Sequence, residues 1–182
     1  MKDRTTAALV GLLLGLVPVS GGEDVQSSLV AGHTNAAGTL SLKTPSDWTF
    51  ESRPGQPEVS EARGGDLIVR ILRREGELGL DSYHVQCMAE RLSDPMKADP
   101  HVDYEYDFME GWVGALHVLD SAFVVRYDEA VEGHTEWRQR CLTVVGGGQS
   151  VCVLGMAPRD VWKKSKEDRA LLDAVIASVR LD

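Results

Sequence analysis

The sequence predicts an α+β domain in which helices cover an antiparallel sheet. Most of its segments alternate apolar and polar residues with the two-residue period of a strand, and Gly, Pro, Asn and Asp break them into turns. Only two stretches carry the three-to-four spacing of an amphipathic helix, one mid-chain and one at the end. The strands come in runs rather than alternating with helices, which argues against parallel βαβ units. At 182 residues, 43% hydrophobic and 26% charged, the chain has the composition of one globular domain. Its net charge of -9 disfavours nonspecific attraction to nucleic acid or to anionic lipid.

Thr39 to Thr44 alternates Leu40 and Leu42 against Ser41 and Lys43, and Pro45-Ser46-Asp47 closes this strand before Trp48. A weak strand from Glu58 to Ala62 and a stronger one from Asp66 to Arg74 flank the Gly64-Gly65 turn. Leu67, Val69 and Ile71 share one face, while Ile68 and Leu72 join Arg70 on the other, so both faces are expected to be partly covered. Asp81 or Ser82 caps a helix with an expected apolar stripe of Val85, Met88, Ala89 and Leu92, ending before Pro95.

Three further strands are expected over His101 to Met109, Trp112 to Leu119 and Ala122 to Ala130. Trp137 to Val145 and Ser150 to Met156 then form a hairpin around Gly146-Gly147-Gly148. The last helix, Asp168 to Val179, lines Leu172, Val175, Ile176 and Val179 along the face that docks on the sheet.

The amino terminus reads as a secretory signal: Lys2 and Arg4, the uncharged run Ala7 to Val19, then Ser20, Gly21 and Gly22. The run is too short for a membrane span, which needs about 20 apolar residues, and Pro18 would break its end. Residues 1–22 are therefore a signal peptide cleaved after Gly21 or Gly22, residues 23–37 a flexible leader, and residues 38–182 a single domain. The expected product is periplasmic or extracellular, with no stable membrane insertion after cleavage.

The run T-L-S-L-K-T-P-S-D-W at Thr39 to Trp48 resembles the opening strand and P-x-x-W turn of PsbP-like and DcrB-like proteins. The helix after the third strand, the late hairpin leading into Ala157-Pro158 and the closing I-A-S-V-R at Ile176 to Arg180 are similar to that superfamily's carboxy-terminal half. The resemblance implies an α-β-α sandwich. It implies no single function, since the superfamily includes a photosynthetic accessory protein, a binder of a small GTPase, chaperones of secretion effectors and many uncharacterised exported members.

Three cysteines in an exported chain cannot all pair with one another. A two-residue turn at Gly146-Gly147 sets Cys141 opposite Cys152, whereas a four-residue loop sets Cys141 opposite Leu154; both keep the two sulfurs on one face. A Cys141–Cys152 disulfide is the leading expectation, with a bridge from Cys87 or free buried thiols as the alternatives. His101, Asp103, Glu105 and Asp107 alternate along one strand and read first as a solvated acidic face. A calcium site is the weaker reading, because the loop geometry of calcium motifs is missing.

His84, His117 and His134, with Asp128, Glu132 and Glu136, are scattered and carry no ligand spacing. No H-E-x-x-H, G-x-S-x-G, P-loop or dinucleotide-binding motif is present, so no catalytic residue and no cofactor is expected. Trp48 and Trp112 are expected in the core. Trp162, beside Lys163 and Lys164, packs under the last helix or marks a partner surface. The function expected from these residues is a secreted, non-enzymatic binding or assembly-accessory domain acting on a protein partner outside the cytoplasm. The alternatives are a small-molecule or metal-binding module, a hydrolase whose site is assembled only in space, and, if the amino terminus is no signal, a cytoplasmic effector chaperone.

Overall fold

A computed structural model describes residues 25, 27–35, 40–53, 56–92, 101–113 and 115–181. Among the described residues the elements follow in the order β1 (Ala31–Thr34), β2 (Leu40–Thr44), β3 (Thr49–Arg53), β4 (Gln56–Gly64), β5 (Leu67–Glu75), α1 (Leu80–Leu92), β6 (His101–Val113), β7 (Leu116–Val131), β8 (His134–Gly146), β9 (Gln149–Pro158), α2 (Arg159–Lys164), α3 (Lys166–Ala177) and β10 (Arg180–Leu181). Seven strands form one antiparallel sheet in the order β3-β4-β5-β9-β8-β7-β6, and β1-β2-β10 form a second, smaller one. The architecture is mostly antiparallel sheet with a few helices, the α+β class expected from the strand runs.

Side-chain parity sorts the large sheet into two cores. Leu67, Val69, Ile71, Leu142, Val144, Val151 and Val153 pack with Leu40, Leu42, Leu172, Val175, Ile176 and Val179. Their chain neighbours Ile68, Leu72, Cys141, Cys152, Leu154 and Met156 pack instead with Tyr83 and Cys87 of α1, and with Phe123, Val125 and Trp137. Both faces of β5 are buried, as its apolar run requires. Helix α3 docks with the expected stripe: Leu172, Val175 and Ile176 are buried, and so is Val179 just beyond its last turn. Its first turn is capped by Ser165 Oγ, which accepts from the Asp168 amide at 3.0 Å. The close approach of α3 depends on Gly155, where an added Cβ would fall 2.4 Å from Ile176 Cδ1.

Several elements differ from their sequence reading. Ala31–Thr34, within the stretch expected to be leader, forms β1 and pairs with β2 from Ala31↔Thr44 to Thr34↔Ser41. The strands expected at 112–119 and 122–130 run together as one strand, β7, from Leu116 onward, while Trp112 and Val113 end β6 and Val113 pairs with Leu116. Asp120 and Ser121 caused the misreading. They are polar yet buried mid-strand, Asp120 against Arg140 and Ser121 against His84. The connector before the last helix is itself helical, as α2.

Helix α1 departs from its expected stripe at Val85, which is exposed, while Leu80, Tyr83, His84 and Cys87 are buried. The side chains of Met88, Ala89 and Leu92 lie outside the described residues. Two polar residues face the sheet where Val85 was expected to, because each has a partner beneath the helix. Tyr83 Oη donates to the Leu72 carbonyl at 3.0 Å, and His84 reaches two hydroxyls.

Candidate functional site

The β8–β9 hairpin turns at Gly147-Gly148, both at positive φ, so that Gly146 pairs with Gln149, Cys141 with Leu154 and Thr143 with Cys152. Of the two registers left open by the sequence, the hairpin takes the one that places Cys141 and Cys152 diagonally on the same face. Their sulfurs are 3.3 Å apart, and all three cysteines are buried thiols outside any disulfide. The expected Cys141–Cys152 bridge is not formed in this structure, since a disulfide needs about 2.05 Å between sulfurs. Burial pushes the Cys152 thiol well above its ordinary value, so it is protonated and unreactive while enclosed.

His84 sits over these thiols. Its Nδ1 is 2.8 Å from Thr143 Oγ1 and 3.6 Å from Cys141 Sγ, and its Nε2 is 2.7 Å from Ser121 Oγ. Burial lowers its pKa to about 4 against the weaker opposing pull of Asp120 and Asp81. The ring is therefore neutral at pH 7, donating from one nitrogen and accepting at the other. A serine and a histidine in contact are the parts of a nucleophile and its base, but His84, Ser121 and Thr143 are all 0% exposed. In this closed form the group ties α1 to β7 and β8.

The other titratable residues named from the sequence are dispersed. His117 Nε2 donates to Glu110 Oε1 at 2.6 Å, and His134 Nδ1 lies 3.3 Å from Asp160. Glu136 bridges Arg126 and Arg159, while Glu132 accepts from Arg63. The Asp128 side chain lies outside the described residues, as do those of His101, Asp103, Glu105 and Asp107. The backbone of that acidic strand is defined. Its ladder to β7 is interrupted between Tyr104 and Tyr106 and again between Tyr106 and Met109. Among the described residues no three His, Cys, Asp or Glu side chains converge as ligands of one ion.

Two charged groups are built into the sheet. Arg140 makes a two-pronged pair with Asp120, at 3.2 and 2.8 Å, and reaches Asp173 of α3 at 3.0 Å. Arg70 and Arg63 both donate to Glu61; burial opposes ionisation of this carboxyl, yet the two guanidinium groups hold its pKa below the usual range.

Trp162 is half-buried against the α3-side core, and the Arg138 guanidinium lies 3.8 Å above its ring. Lys163 and Lys164 beside it are exposed. Trp48 is buried over Gly64, as expected, but Trp112 is 67% exposed. It stands on β6, which among the described residues is the last strand of the sheet and has a paired strand on one side only. Its ring stacks on His117, directly opposite on β7, with centroids 4.2 Å apart and planes 4° from parallel. Sequence reasoning missed this aromatic platform, because edge and inner strands alternate alike.

No family model matches the chain, and no curated protein matches it in sequence. Its fold nevertheless matches solved structures. The solution structure of cyanobacterial PsbP (CyanoP) from Synechocystis sp. PCC 6803 superposes with a TM-score of 0.61 at 12% identity, covering 85% of this chain and 94% of that one. The fold is PsbP-like. A crystal structure from Bacteroides thetaiotaomicron VPI-5482 matches at TM-score 0.50 and 12% identity, again over 85% of this chain but 49% of the other. At this level of identity the PsbP-like likeness concerns architecture alone, so the roles of individual residues rest on the geometry above.

Proposed function

We propose that this PsbP-like chain is an exported, non-enzymatic accessory domain, an α-β-α sandwich that binds a protein partner outside the cytoplasm. The reading is carried by the PsbP-like fold over 85% of the chain. It is supported by the enclosure of the histidine–hydroxyl–thiol group, where catalysis would otherwise be sought. Chemistry at His84 would require α1 to lift from the sheet, whereas an exposed aromatic at the sheet edge serves binding in the closed form.

Export fits the basic start and the uncharged run Ala7 to Val19. In an oxidising compartment the contact between Cys141 and Cys152 becomes a disulfide across the β8–β9 hairpin, leaving Cys87 outside the bridge.

The test is the intact mass of the protein recovered from the exported fraction of expressing cells, alkylated with and without prior reduction, followed by native size analysis of the same fraction. The reading expects a mass lacking about 22 residues, two thiols protected until reduction, and migration in an assembly larger than the monomer. A full-length mass with three reactive thiols overturns the export reading. A cleaved protein that migrates only as a monomer overturns the accessory reading.

A further inference from the structure

Strand β6 ends the seven-stranded sheet, and among the described residues no strand pairs with its outer edge. A terminal strand presents a row of backbone N–H and C=O groups that another extended chain can take up. The irregularities at Tyr104/Tyr106 and Tyr106/Met109 interrupt this edge, but Met109 to Val113 pair without a break, from Met109↔Asp120 to Val113↔Leu116.

The inner side of Trp112 shows what chemistry this stretch recognises. His117 stacks flat on the indole and donates its Nε2–H to Glu110 Oε1, so one side chain of the neighbouring strand uses both groups. On the outer side the indole is open, and the Glu110 side chain is 58% exposed. A residue opposite Trp112 on an added strand would stand where His117 stands on the inner side, about 5 Å from Trp112. A cationic side chain there would lie on the electron-rich ring face and within reach of the carboxylate. The chain already contains such a stack, Arg138 on Trp162.

Charge selects among occupants. The sequence of β6 holds Asp103, Glu105, Asp107 and Glu110 with no lysine or arginine, in a chain of net charge -9. Two copies of this strand would bring like charges together, whereas a basic segment is complementary.

We propose that the outer edge of β6 over Met109–Val113 accepts an extended, arginine-bearing segment of the protein partner as an eighth strand, with one guanidinium stacked on the open face of Trp112. The proposal deepens the accessory reading and rests on it for the partner's existence.

The probe is a fluorescein-labelled ten-residue peptide alternating arginine with valine and threonine; its control has glutamate in place of arginine. Anisotropy with the exported protein should show saturable binding of the arginine peptide only, weakened several-fold between 50 and 300 mM salt. Trp112→Ala and Glu110→Lys should each weaken it at least about tenfold. Hydrogen exchange should show new protection at residues 109–113.

Equal binding of the two peptides, unchanged affinity of Trp112→Ala, or protection confined to other strands would each overturn the assignment. So would concentration-dependent dimerisation that protects the same amides without peptide. If the peptide occupies β6 but the exported protein is only ever monomeric in extracts, the accessory reading falls and the edge site stands. If a larger assembly survives in Trp112→Ala cells, the edge site falls and the accessory reading stands.

Discussion

Acidification should loosen this domain through His84. Unfolded, this imidazole takes up a proton near its ordinary pKa of 6.5, whereas folded it does so only near about 4, because burial between α1 and the sheet disfavours the cation. A depressed folded value means that the stabilising contribution is fully present above pH 6.5 and is lost as pH falls towards 4. With those two values the loss amounts to about 2 kcal/mol by pH 5 and about 3 kcal/mol once the folded form titrates. Glu61 and Glu136 are held below their usual range by arginines, so both stay ionised at pH 5 and add nothing to the loss there. Urea denaturation at pH 7.5 and 5.0 measures the effect, with His84→Gln as the comparison. The glutamine variant should be weaker at pH 7.5, since one amide cannot serve both Ser121 and Thr143, but should lack the extra loss at pH 5. Equal losses in the two proteins would refute the reasoning. If the variant does not fold, an NMR titration of the wild-type imidazole decides instead, and a midpoint near 6.5 would be fatal to the argument.

Arg140→Ala should cost about 3–5 kcal/mol, because it strands the buried Asp120 carboxylate and releases Asp173 of α3; a change in urea midpoint worth less than about 1 kcal/mol would show that the pair does not hold the helix. Gly155→Ala should cost about 1–3 kcal/mol by pressing a methyl into Ile176 Cδ1. Ile176→Val in the same chain should restore part of that loss, and strict additivity of the two changes would contradict the contact. Gly32→Ala, where a Cβ meets open space, serves as the neutral control.

Much of this architecture is legible in the sequence because burial imposes a period. The α3 stripe, the two-sided β5 and the glycine turn of the β8–β9 hairpin all follow from spacing alone. Reading fails where polar residues do the packing. Asp120 and Ser121 look like a strand break but sit mid-strand, because Arg140 and His84 satisfy them. Tyr83 and His84 occupy the inner face of α1 in place of Val85, since their partners lie on β5, β7 and β8 and no helical period in the sequence reports them. Strand β1 is held by backbone pairing, with side chains that are half-buried or exposed, so composition leaves no trace of it. The edge platform was hidden for a topological reason. Alternation around Trp112 says that the segment is a strand, but only the order of strands says that it is the last one.

The alternation of the two cores along β8 and β9 also governs how substitutions can accumulate. Cys141 and Leu142 are bonded neighbours, yet one faces Leu154 and the α1 side while the other faces Val153 and the α3 side. Changes at adjacent positions should therefore add independently, whereas changes two apart, or opposite one another across the ladder, should couple. The thiol and histidine layer can in this way drift in composition without disturbing the layer that anchors the last helix. Over evolutionary time the sheet acts as a partition, and odd and even positions of the same strand evolve as members of two separate communities.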